Sequence, residues 1–109
     1  MNVFHKDVIG RWSNFSIYDQ MANIGAEVGR AINWRNKKNE KMSKNAFYRA
    51  LELIDFTVED KKNINSLKEI LRMRELLVDY LMGDNIYHST DTGWKKYFYH
   101  FNFAARINK

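Results

Sequence analysis

Four amphipathic segments, short polar connections between them and the absence of proline predict an all-α protein: a four-helix antiparallel bundle with an N-terminal arm. In each segment apolar residues recur at steps of three and four, the period of a helix that buries one face. Pro is absent and only five Gly occur in 109 residues, so no segment contains an obligate breaker. Hydrophobic residues make up 45% of the chain and aromatics 15%, enough for one core. A single helical domain is expected over residues 13–109, with residues 1–12 as the arm.

The arm shows no clear period, but Phe4, Val8, Ile9 and Trp12 are available to dock on the core. The first helix is expected to open at Ser13 or Ser16, either of which can cap it, and to run to about Asn36. Ile17, Met21, Ile24, Val28 and Ala31 form its seam. Beside the seam lie Ala22, Gly25, Ala26 and Gly29. An internal Gly costs about 1 kcal/mol relative to Ala, so the use expected of this strip is close approach of another backbone. The other flank carries Asp19, Asn23, Glu27, Arg30 and Trp34, a mixture of hydrogen-bonding groups that reads as one wall of a polar pocket. The plainer alternative is an exposed Glu27–Arg30 pair worth a few tenths of a kcal/mol.

The second helix is expected over about Glu40 to Val58, with Ala46, Phe47, Ala50, Leu51, Leu53 and Ile54 inward and Asn45, Arg49, Glu52 and Asp55 on or beside its polar side. The third, Leu67 to Met82, places Leu67, Ile70, Leu71, Leu77, Val78 and Leu81 on one arc with Arg74 near its middle. A guanidinium cannot shed its proton and is too costly to bury alone. Arg74 is therefore expected to be buried and bonded to a carboxylate: Glu27 first, with Glu52 or Asp55 as substitutes. Asn63 or Asn65 is expected to cap this helix, and Gly83 to end it in a left-handed conformation. The loop DNIYHSTD follows, with Thr90 or Asp91 capping the last helix. There Trp94, Tyr97, Phe98, Phe101, Ala104 and Ala105 share the inward arc, whereas Tyr99, Phe103 and Ile107 point elsewhere. Apolar groups on an otherwise basic face suggest a contact surface, most simply for self-association.

Cys is absent, which excludes disulfides, thiolate metal sites and cysteine nucleophiles. No apolar run reaches the roughly 18 residues of a membrane span and no long apolar leader is evident, so a cytoplasmic protein without a membrane partner is expected. Lys and Arg number 18 against 13 Asp and Glu, a net charge of +5. The surplus is uneven: from Arg30 to Arg49, Glu40 is the sole acid, and from Lys95 onward there is none. Lys95, Tyr99, Phe103 and Arg106 could hold RNA or single-stranded DNA by charge and stacking.

No Glu-x-x-His pair supports a di-metal bundle. Glu52, Asp55, Glu75 and Asp79 mimic the carboxylate set of magnesium-dependent all-α nucleotide pyrophosphohydrolases, although the last two read as solvated charges. His100 followed by Arg106 reverses the order found in helical ribonucleases of the HEPN class. No catalytic residue, metal or cofactor is therefore expected. The function indicated is a non-catalytic interaction module, associating with a second copy or another protein; nucleic-acid binding and the hydrolase are the alternatives.

The string NAFYRALELID looks like the second helix of a tetratricopeptide repeat, but one unit cannot stack into a solenoid. The strings QMANIGAEVGRAINW, AFYRALELID and RELLVDYLMGDNIYHSTD together resemble a group of short, uncharacterised prokaryotic all-helical proteins. The resemblance implies an all-helical domain and no activity. It directs attention to the polar members Asn23, Glu27, Arg74, Asp79, Asp84, Asn85 and Tyr87.

Overall fold

A computed structural model describes residues 10–107, and these form four α-helices with no strand. A 3-10 turn at Trp12–Asn14 precedes α1 (Ile17–Asn36). Then come α2 (Glu40–Glu59), a second 3-10 segment (Lys61–Ser66), α3 (Leu67–Met82) and α4 (Asp91–Ile107). Ser16 caps α1 by accepting from the Asp19 N–H at 3.1 Å, and Asn39 caps α2 through Met42 N–H at 3.1 Å. Of the arm, Phe4, Val8 and Ile9 lie outside the described residues, whereas Trp12 is 4% exposed and docks on the core.

The helices run up and down in turn. Asp91, at the start of α4, bonds Arg35 and Asn36 at the end of α1, while Ala105 and Arg106 share a groove with Asp19 and Ala22 at its beginning. Packing is closest between α1 and α2; α4 lies along α1 and α3 along α2. Met21, Ile24, Val28, Ala31, Phe47, Ala50, Ile54, Leu77 and Phe98 are all within the buried core. The small-residue strip works at one point. A Cβ at Gly25 would stand 2.7 Å from Phe98 Cβ, so this glycine lets α4 approach, whereas a Cβ at Gly29 would meet nothing within 4 Å.

Several expectations are corrected. Arg74 is not buried and does not meet Glu27: its side chain is 38% exposed and its Nε donates to Asp55 at 3.1 Å. The buried face of α3 is Ile70, Met73, Leu77 and Tyr80, rotated roughly 80° from the Leu-rich arc at 100° per residue. Met73 and Tyr80 outweigh Leu71, which is 46% exposed, so the cation lies on the flank. Asn63 and Asn65 do not cap α3. Its N-cap is Ser66, without a side-chain bond, and Asn63 is buried in the connection. Gly83 has φ −110° and is not left-handed; Asn85 takes that conformation, at φ 54°, and its N–H donates to Asp79 O.

Candidate functional site

The residues singled out in the sequence as members of a polar site do not converge on one pocket. Glu27 is buried where α1 faces α2 and receives Arg30 Nη1 at 2.7 Å and Arg49 Nε at 2.9 Å. Arg74 and Asp55 pair on the outer surface of α2 and α3, and Glu52 is half-buried on α2. Asn23 is exposed and bonds back to Asp19 O, while Trp34 is half-buried with the Lys37 ammonium 5.3 Å above its ring.

Asp84, Asn85 and Tyr87 belong to the α3–α4 loop. Asn85 exchanges bonds with Ser89, donating from Nδ2 at 3.0 Å and accepting at Oδ1 at 2.8 Å. Asp79 accepts from the Ile86 and Tyr87 N–H groups, and the Tyr87 hydroxyl donates to Glu75 at 2.9 Å, a bond that raises its phenol pKa. These are loop-building contacts. They occupy two of the four carboxylates the hydrolase alternative requires, and Arg74 occupies a third. Among the described residues no three acidic or imidazole groups are placed to hold a metal ion.

Two polar clusters were not anticipated. In the first, Gln20 donates to Trp12 O at 2.9 Å and to Asp60 at 2.8 Å, Asn63 donates to Gln20 Oε1 at 2.8 Å, and Trp12 Nε1 donates to Thr57 at 3.0 Å. Burial alone would push Asp60 up, but the bonds from Lys62 and Gln20 outweigh it and hold the carboxyl below its ordinary range. In the second, Arg35 stacks 4.4 Å over the Tyr80 ring and pairs with Asp91 at 3.2 Å, and the Tyr80 hydroxyl also donates to Asp91. Burial again works against the Asp91 charge, yet Tyr80, Asn36 and Arg35 hold its pKa down. Both clusters join helix ends to the connections beside them, so their role is to fix the bundle. Gln20 and Thr57 carried no visible signal, and Asn63 only that of a cap, because the contacts that close the cluster span 40 to 45 residues.

The Glu27–Arg49 pair was legible in principle. Glu27 and Arg49 each stand 11 residues from Lys38, the turn residue at φ 62°, and such positions are neighbours in an antiparallel helical hairpin.

The outward face of α4 is of another kind. Tyr99, Phe103 and Ile107 are 58%, 50% and 64% exposed and recur every four residues, so they form one stripe. Lys95, Lys96, His100 and Arg106 are exposed on the same helix, and no acid follows Asp91 among its described residues. Tyr99 also borders the grooves between α4 and α1. No described helix is long and apolar enough to cross a membrane. Comparison of the chain with protein-family models, curated proteins and solved structures finds no match.

Proposed function

We propose that the protein is a non-catalytic interaction module that associates through the outward face of α4, with a second copy of the chain as its partner. The observation that carries this is the stripe Tyr99–Phe103–Ile107, three large apolar side chains at least half exposed on one helix face. Covering the exposed part of each contributes about 1 kcal/mol, or roughly 6 kcal/mol over two copies. That sum exceeds the lower estimates of the entropic cost of association, about 4 kcal/mol, by only about 2 kcal/mol, so the complex is weak, millimolar or looser. The flanking Lys95, Lys96 and Arg106 repel between two copies, and salt relieves that repulsion because exposed charges are screened beyond about 8 Å at physiological ionic strength.

Single-stranded nucleic acid is the second reading, favoured by the absence of acidic residues from Thr92 onward beside exposed aromatic rings. The two differ in sign. Self-association strengthens with salt, whereas phosphate binding weakens steeply. Sedimentation at millimolar concentration over rising salt tests both. A dimer that grows with salt and is lost in Tyr99→Ser/Phe103→Ser supports self-association. A monomer at every salt concentration overturns it, and binding of an oligonucleotide at low salt transfers support to the second reading.

A further inference from the structure

The two helices joined by the 83–90 loop do not pack closely: α4 lies on α1 and α3 on α2. Between them is a cleft of about 410 Å³ bordered by Met73, Leu76, Trp94 and Tyr97, with His88 and Thr90 at its loop end. We propose that this cleft is a binding site for a small aromatic carboxylate, its ring against Met73, Leu76 and Trp94 and its carboxylate toward Arg72 and His88.

Three observations support the assignment. The volume falls within the range of small-ligand sites, and its apolar walls with a few polar groups match their usual lining. Trp94 Nε1 is shielded from water and meets no hydrogen-bond partner among the described residues. Such groups are rare, since leaving one unmade costs about 1–3 kcal/mol, and an acceptor brought into the cleft would recover part of that.

The charges also have a direction. Glu69 borders the cleft and acts on the Tyr97 phenol, while His88, Gly93 and Thr90 border it at the start of α4, where the helix dipole is positive. Arg72, also on the rim, enters no ion pair among the described residues. The loop end therefore suits an anion and the Glu69 end does not. Asn85 and His88 both adopt positive φ, 54° and 57°, and the His88 N–H bonds Asn85 O at 3.1 Å, which fixes the imidazole's attachment point at the rim.

The probes are phenylacetate and phenethylamine, equal in ring and opposite in charge, followed through the Trp94 indole N–H resonance of the full chain. Titration to about 10 mM still registers millimolar binding. The expected result is a saturable Trp94 shift with phenylacetate, at least tenfold weaker with phenethylamine, and weakened several-fold by R72Q. Arg72 is exposed, so this substitution leaves the fold intact. Absence of a saturable Trp94 shift, equal response to the two probes, or affinity for phenylacetate unchanged in R72Q would overturn the proposal.

Discussion

At Glu27 a carboxylate is drawn into the α1–α2 interface and bonded by two guanidinium groups, whereas the Arg74–Asp55 pair stands in water. The two should differ in consequence. Glu27→Gln leaves Arg49, whose side chain is 30% exposed, facing a neutral amide and is expected to lower the urea unfolding free energy by about 1–3 kcal/mol. Arg74→Ala is expected to change it by no more than about 0.5 kcal/mol, as exposed pairs contribute little. Equal effects would contradict the placement of the interior pair.

The titrations at Asp91 and Tyr97 have opposite signs. The folded Asp91 carboxyl lies below its ordinary 3.8, so its stabilisation is complete above that pH and is lost as pH falls through the folded value. The Tyr97 phenol is pushed from 10.0 up to about 12 by burial and by Glu69, so its contribution is complete below pH 10.0 and fades toward pH 12. Thermal melts across pH should show a smaller acid-side loss in Asp91→Asn and a smaller alkaline loss in Tyr97→Phe. The Tyr97 hydroxyl is buried beside Glu69, so Tyr97→Phe should change stability at neutral pH by no more than about 1 kcal/mol.

Among the elements, α1 offers a paired test within one turn. Gly25→Ala forces a Cβ to 2.7 Å from Phe98 and is expected to destabilise by about 1–3 kcal/mol. Gly29→Ala meets open space and should stabilise by up to about 1 kcal/mol through helix propensity. Urea unfolding of the two variants measures both; the same sign for both would contradict the packing of α4 on α1. The sequence showed the small-residue strip but not which glycine meets a ring, since that depends on where Phe98 falls along α1. The seams of α1 and α2 were legible because Ile, Val, Ala and Phe at three-four spacing mark one face only. The phase of α3 was not. Its apolar residues cover more than half the helix circumference, and the buried edge was decided by Met73 and Tyr80. Arg74 took its sequence-based place from the leucines and its actual place from that rotation.

In the molecule as a whole, α4 has three surfaces. Phe98 and Ala105 close the core against α1, Trp94 and Tyr97 border the cleft toward α3, and Tyr99, Phe103 and Ile107 are left on the outside. The four-helix topology followed from patterning and short connections, and the outward stripe from the same helical spacing. The cleft and the Gln20–Asn63 and Arg35–Asp91 clusters depend on how far apart α3 and α4 are held and on contacts across the chain, which spacing along a single helix does not encode. The most direct measurement of the account is the concentration dependence of backbone and aromatic chemical shifts at high salt. Changes confined to the outward positions of Lys95–Ile107, absent in Tyr99→Ser/Phe103→Ser, are the result expected of association through α4. Shifts that do not move with concentration, or that fall on α2 and α3 instead, would contradict it.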